Sequence, residues 1–181
     1  MTIPKQQKRP AAFLDRDGVL NIDKGYVYRK EDFVWIEGAQ EAIRILKERG
    51  YLIFIVTNQS GVARGYYSEA DVKQLHQWMN EQLQENGVGI DGFYYCPHLP
   101  EASVEKYRMD CQCRKPLPGL ILKAIDEWDI NKDASFLIGD GKRDIEAAAA
   151  AGIEGYLFVE NNLAVFVERI LREKVDSNGK S

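Results

Sequence analysis

The sequence predicts an α/β fold built on a parallel sheet. Short apolar runs alternate along the chain with segments of helical periodicity, the signature of strand–helix–strand units. The strongest of these runs, "YLIFIV" at 51–56, is continuously apolar, as a strand buried on both faces should be. Five such runs, each followed by a helical segment, require right-handed crossovers between parallel neighbours.

The elements follow in order. "AAFLD" (11–15) is a short buried strand ending on an acid. "AQEAIRILKER" (39–49) sets Ala42, Ile43, Leu46 and Lys47 at helical spacing, and Gly50 stops it. After "YLIFIV", Ser68 with Asp71 resembles a capping box, opening a helix to about Glu85 with Val72, Leu75, Met79 and Leu83 on one face. "GFYYC" (92–96) is the third strand, followed by a helix over 118–128. "ASFLIGD" (134–140) is the fourth, followed by a helix over 142–151 that ends at Gly152. "GYLFV" (155–159) and a helix over 162–174 complete the set. The tail "DSNGKS" is polar and expected to fray. No repeat, low-complexity tract or linker interrupts the pattern, so residues 1–181 read as one domain with a core over 10–175 and frayed ends.

Composition limits the function. A chain of 181 residues that is 45% apolar builds one substantial core. A net charge of −4 and a pI near 5.3 argue against nucleic acid as partner, because phosphate backbones call for a basic surface. The start, "MTIPKQQKRPAAF", is basic but carries no apolar stretch of a signal peptide, and no run of about 18 apolar residues suggests a membrane span. The expectation is a cytoplasmic monomer with reduced thiols.

In parallel sheets ligands bind beyond the carboxyl ends of the strands. The first strand delivers Asp15 and then Asp17 there, and the second delivers Thr57, Asn58, Gln59 and Ser60. The fourth delivers Asp140, with Asp144 following; Arg114 and Lys115 return from the segment after the third. Each piece has an ordinary reading: D-x-D in a turn, "TNQSG" as a loop, Asp144 on a helix dipole, Lys115 as a solvated lysine. Their convergence on one rim is the stronger observation. Asp15 and Asp140 at neighbouring strand ends would repel unless a hard cation such as Mg²⁺ lay between them. Asp15 could then attack phosphorus, giving an aspartyl-phosphate. Asp17 could protonate the leaving alcohol and later activate water. Thr57, Lys115 and the amides near Asn58 would hold the phosphoryl oxygens.

All three cysteines lie between positions 96 and 113, with one of the two histidines. Cys96, His98, Cys111 and Cys113 form C-x-H and C-x-C pairs joined by a polar loop, a ligand set suited to tetrahedral Zn²⁺. Four protein ligands leave no place for a reacting water, so the zinc would be structural, a staple over about 96–115.

The motifs "FLDRDGVLN", "VTNQSG", "CRKP" and "IGDGKRD" resemble those of the haloacid dehalogenase-like phosphohydrolases, over residues 10–160. The resemblance implies a Rossmann-like, doubly wound core, Mg²⁺, and a small phosphorylated metabolite as substrate. It makes Asp15 the nucleophile and Asp17 the general acid/base. Asp15, the carbonyl of Asp17, and Asp140 would hold Mg²⁺, while Thr57 and Lys115 would stabilise the phosphoryl group. Within that family, "DKGYV", "NQSGVARG" and "CPH…CQCRKP" resemble the heptose 1,7-bisphosphate 7-phosphatases, with the same four zinc ligands. Asp23, Lys24, Gly25, Tyr26, Asn58, Gln59, Ser60 and Arg114 would then line the substrate site.

Two positions depart from that pattern. Gly141 stands where the subfamily often carries lysine, with Lys142 next, and the chain after Val159 is brief and divergent. The segments 16–38 and 97–117 are too short for a large cap domain. The zinc loop and "DKGYVYRKEDF" must therefore shape the pocket, zinc fixing Arg114 and Lys115 beside Cys113. Histidinol-phosphate phosphatases share the core and the zinc ligands and are the nearest alternative. A zinc-stabilised phosphate-binding signalling or interaction domain is the alternative from another class. The basic residues Arg114, Lys115, Lys142, Lys24 and Arg64 favour a bisphosphate, whose second phosphate they could meet.

Overall fold

The computed structural model describes residues 7–179. Its centre is a five-stranded parallel sheet of β1 (Ala11–Leu14), β2 (Leu52–Asn58), β3 (Gly92–Cys96), β4 (Phe136–Gly139) and β5 (Glu154–Leu157), in the order β3-β2-β1-β4-β5. The chain moves outward from β1 through β2 to β3, then returns to the other side of β1 for β4 and β5. The connection direction therefore reverses between β1 and β4, creating a switch point and a crevice above it. The register sets Leu14 opposite Ile55 on one side and Ile138 on the other, and Asp15 N–H still donates to Ile138 O at 3.0 Å. The sequence-predicted α/β, doubly wound arrangement is what the structure shows.

Side-chain alternation explains the layers. Ala12, Leu14, Ile53, Ile55, Phe136 and Ile138 face a core completed by helices α1 (Ala39–Glu48), α2 (Glu69–Gln84) and α5 (Leu163–Asn178). Ala11, Phe13, Leu52, Phe54, Val56 and Leu137 face the opposite core, under α3 (Gly119–Glu127) and α4 (Lys142–Ala151). Ser68 accepts from Asp71 N–H while Ser68 N–H donates to Asp71 Oδ2 at 2.7 Å, the reciprocal cap expected of that pair.

Several boundaries move. β2 extends through Thr57 and Asn58, β4 begins two residues late after a 3-10 turn at Lys132–Ala134, and β5 stops at Leu157, leaving Val159 exposed. Asp176–Asn178, expected to fray, continue α5 instead. No helix breaker intervenes before Gly179, and the Ser177 hydroxyl donates to Glu173 O at 2.8 Å. The expected fraying of 1–6 and 180–181 lies outside the described residues. Between β1 and α1, and between β3 and α3, only single 3-10 turns occur (Lys30–Asp32 and Glu105–Tyr107), so no cap domain covers the crevice. No helix among the described residues is long and apolar enough to cross a membrane.

His76, on the inner face of α2, stacks on Phe93 with ring centroids 4.7 Å apart. Burial, reinforced by the positive charge of Arg16, holds its imidazole well below the ordinary histidine range. Below about pH 6.5 the unfolded chain takes up a proton that the folded chain refuses. The stability His76 contributes is therefore present above that pH and is lost as pH falls. Urea unfolding from pH 7 to pH 5 should show wild type losing stability relative to His76→Gln, with a limiting slope of about 1.4 kcal/mol per pH unit. Parallel pH profiles for the two proteins would refute this.

Candidate active site

The crevice at the switch point is built around a buried lysine. Lys115 is 2% exposed, and its Nζ lies 2.9 Å from Asp15, 2.6 Å from Asp144 and 2.8 Å from Val56 O. Burial alone would push this ammonium down, but the two carboxylates outweigh it and the net shift is upward. Asp15 is 3% exposed, and burial pushes its carboxyl up to about 7 against the pull of Lys115. Arg16 N–H donates to Asp15 Oδ1 at 2.8 Å and fixes the carboxylate's orientation.

Asp140, at the end of β4, joins Asp15 and Asp144 so that one oxygen of each lies within 4.8 Å of the others. Three carboxylates face one ammonium there, an all-oxygen set with excess negative charge that fits a hard divalent cation. Close packing makes the arrangement possible. Gly18 has φ +87°, and a Cβ on it would stand 2.1 Å from Asp140 Oδ2. Asp144 does two jobs: it pairs with Lys115, and its Oδ2 accepts from Gly141 N–H at 3.1 Å to cap α4.

Asp17 sits in a cradle of donors. Arg16 Nη2 meets Oδ1 at 2.9 Å and Oδ2 at 3.1 Å, Asn21 Nδ2 donates to Oδ1 at 3.0 Å, and Gln59 Nε2 donates to Oδ2 at 3.1 Å. Gln59 Nε2 also donates to Thr57 Oγ1 at 2.9 Å, and Gln59 Oε1 accepts from Tyr67 at 2.7 Å. The Thr57 hydroxyl, having accepted that bond, keeps its own proton to donate. Gln59 is buried with both ends of its amide occupied, so its side chain orients Asp17 and Thr57 instead of facing the crevice.

Asn58 is committed in a similar way. Its Nδ2 donates to Lys115 O and its Oδ1 accepts from Lys115 N–H, both at 3.0 Å, clamping the backbone that carries the lysine. Ser60 and Arg114 are half-buried, and Arg114 Nη1 is buried with no hydrogen-bond partner among the described residues. Asp23, Lys24, Gly25 and Tyr26 form an exposed turn, with Gly25 N–H donating to Asp23 Oδ1 at 2.9 Å. Tyr26 holds φ 53°, uncommon for a bulky residue, with its ring edge-on to Tyr66 at 4.8 Å. Lys142 is solvated at the start of α4 and lies 3.5 Å from Glu146.

The four sulfur and nitrogen ligands come together as their spacing predicts. Cys113 Sγ is 3.1 Å from Cys96 Sγ, 3.2 Å from Cys111 Sγ and 3.3 Å from His98 Nδ1. The cysteines are free thiols, and the four ligand atoms lie within 4.8 Å of one another. Hydrogen bonds from Cys96 and then Cys111 and His98 pull the Cys113 thiol down to about 5, while Cys96 is pushed up. Three thiols and an imidazole brought within ligand distance of one another fit Zn²⁺.

Sequence reasoning missed Arg16. D-R-D shows an arginine between two acids, and nothing local says that it is buried; only the approach of α2 and residue 27 reveals it. Asp144 was visible as the second acid of G-D-x-x-x-D, but not as a partner of Lys115.

Comparisons with known proteins agree with this geometry. The family described as haloacid dehalogenase-like hydrolase matches residues 5–152. D-glycero-beta-D-manno-heptose-1,7-bisphosphate 7-phosphatase from Rhodopseudomonas palustris is 49% identical over 166 residues, covering 92% of each chain. The enzyme of that name from Escherichia coli K12 is 48% identical over 144 residues, covering 80% of this chain and 75% of its own. The crystal structure of D,D-heptose 1,7-bisphosphate phosphatase from B. bronchiseptica, complexed with magnesium and phosphate, superposes with a TM-score of 0.78. It is 30% identical and covers 91% of this chain and 99% of that one. The carboxylate–lysine crevice, the sheet order and these matches together establish that the chain belongs to the haloacid dehalogenase-like hydrolases.

Proposed function

We propose that this chain removes the 7-phosphate of D-glycero-D-manno-heptose 1,7-bisphosphate through an aspartyl-phosphate on Asp15. The observation that carries the chemistry is the buried Asp15 carboxylate, held at the switch point by Lys115 at 2.9 Å and by Arg16 N–H at 2.8 Å. The relatives that match 80 to 92% of the chain act, by name, on the heptose bisphosphate. In the first step an Asp15 oxygen bonds to phosphorus as the ester P–O bond breaks, and Asp17 gives its proton to the departing alkoxide. In the second, Asp17 takes a proton from water, whose oxygen attacks phosphorus and releases inorganic phosphate and Asp15. Thr57 and Lys115 hold the phosphoryl oxygens through both steps.

Asp15, the carbonyl of Asp17, and Asp140 would hold Mg²⁺, which when bound supplies charge to offset the phosphoryl oxygens. Cys96, His98, Cys111 and Cys113 would hold a structural Zn²⁺. Arg114 Nη1, buried without a partner, suits a substrate oxygen. The exposed 23–26 turn, Ser60 and the backbone near Asn58 and Gln59 would complete the substrate site, so recognition relies on preformed loops.

Asp15→Asn keeps the shape and removes the attacking charge. Its turnover should fall at least a thousandfold, ~4 kcal/mol in barrier, with circular dichroism unchanged. Activity above a tenth of wild type would rule Asp15 out as nucleophile.

Purified protein should contain about one zinc per chain that survives mild EDTA, because four ligands enclose it, while the same treatment stops turnover until Mg²⁺ is restored. Metal analysis finding no zinc, or a disulfide among the three cysteines in reducing buffer, would remove the staple.

Phosphate release over a sugar phosphate panel that includes histidinol phosphate tests the substrate. The heptose bisphosphate should give the highest kcat/KM. A tenfold or greater preference for histidinol phosphate would overturn the heptose assignment and leave the phosphatase reading intact.

A further inference from the structure

Between the two acids of the D-R-D turn lies the largest fully buried side chain of the described residues, and it is a cation. Arg16 is 0% exposed. Its Nη2 faces both oxygens of Asp17 and donates to Val27 O at 2.5 Å, its Nη1 lies 3.3 Å from His76 Nε2, and its Nε is buried without a partner. The only carboxylate paired with this guanidinium among the described residues is Asp17, at 2.9 Å. His76 is neutral and stacked on Phe93, so it accepts from Arg16 and adds no charge.

Such a pair is a poor source of stability. Desolvating a cation and an anion costs nearly what their attraction returns, and an apolar residue of similar volume would commonly do as well. What a guanidinium provides is geometry, because its planar fork fixes a carboxylate in both distance and plane. Its anchors are independent of Asp17. One is a backbone carbonyl beyond the 23–26 turn, and the other is a ring wedged between α2 and β3. Without the fork, Asp17 would keep one bond from Asn21 and one from Gln59, on different oxygens.

We propose that Arg16 is the positioning residue for Asp17, holding its carboxyl group where, once protonated, it can give its proton to the leaving alcohol, and tying it to Val27 and α2. The inference rests on the phosphatase reading above. Arg16 acts through Asp17, and in the first, phosphoryl-transfer step its effect falls on protonation of the leaving alcohol. The consequence is selective. A primary alkyl phosphate needs that proton, whereas an aryl phosphate such as p-nitrophenyl phosphate expels a stable anion without it.

The test compares kcat/KM, which reports phosphoryl transfer to the enzyme and not the later hydrolysis, for p-nitrophenyl phosphate and for the best primary alkyl ester of the panel. With Mg²⁺ present, Arg16→Gln should lose about a hundredfold on the alkyl ester, the scale of general acid catalysis, and within roughly threefold on the aryl ester. Asp17→Asn should show the same split. Equal losses on both esters would mean a structural role and overturn the proposal, as would no loss on the alkyl ester. Should Arg16→Gln fail to fold by circular dichroism, Arg16→Lys, which keeps the cation and loses the fork, carries the comparison. Should that fail too, His76→Phe, which removes one anchor and keeps the stack, must show a smaller split, and equal effects on the two esters refute the proposal. If wild type hydrolyses neither ester, the phosphatase reading falls first and this inference with it.

Discussion

The ion triad of Asp15, Lys115 and Asp144 is the contact on which the rest of the crevice depends. It joins the end of β1, the segment leading into α3 and the first turn of α4, three parts of the chain that the sheet alone would leave side by side. A lysine so deeply buried exists only because two carboxylates face it. Removing one partner from such a cluster costs ~3–5 kcal/mol because the other charge stays buried. The same energetics prepare the site for chemistry. In the proposed mechanism, charges already desolvated would need little reorganisation when a phosphoryl group arrives, and Asp15, already fixed by a backbone N–H, would have little entropy left to lose.

The lysine is supported from outside the triad as well. Asn58 clamps its backbone with two hydrogen bonds, and Cys113 lies two residues upstream in the thiol–imidazole cluster. The outer part of that loop has an anchor of its own. Tyr95 and Tyr107 both donate to Glu69 on the first turn of α2, each at 2.8 Å, and Val104 N–H donates to Ala63 O at 3.0 Å. The loop is thus pinned at the cluster and again at α2. In the proposed reading, that pinning would take the place of a cap domain in ordering the site.

Asp17, the proposed general acid, is organised by different means. Asp17 lies on a turn, where backbone alone specifies little, and four side-chain contacts from Arg16, Asn21 and Gln59 hold it. Gln59 in turn reaches Thr57 and Tyr67, and Tyr67 stacks on Tyr28 at 4.9 Å. The wall formed by residues 23–28 and 60–67 is therefore mechanically continuous with the acid. If substrate sits against that wall as proposed, it and the proton it receives would be positioned by one network.

The sequence alone determined the architecture and which candidate groups share one rim. Apolar runs at 11–15, 51–56 and 92–96 can be buried only as strands of a covered parallel sheet, and strand ends then place Asp15, Thr57 and Asp140 on one rim. The cysteine spacing likewise announced its cluster, because short ligand pairs bring their atoms together locally. Tertiary structure decided which polar groups face the crevice and which are consumed in building it. Gln59 and Asn58 look like binding residues in "TNQSG", yet their amides are engaged by Asp17, Thr57, Tyr67 and the Lys115 backbone, partners distant in sequence. Lys142 looks like a phosphate ligand, and in the fold its solvated side chain pairs loosely with Glu146. Arg16 carries no local sign of burial, which depends on α2 and Val27 arriving from elsewhere in the chain. Periodicity and strand-end position are local properties that a sequence displays. Which donor meets which acceptor is settled only by side chains packed from separate segments, where each buried polar atom must find a partner.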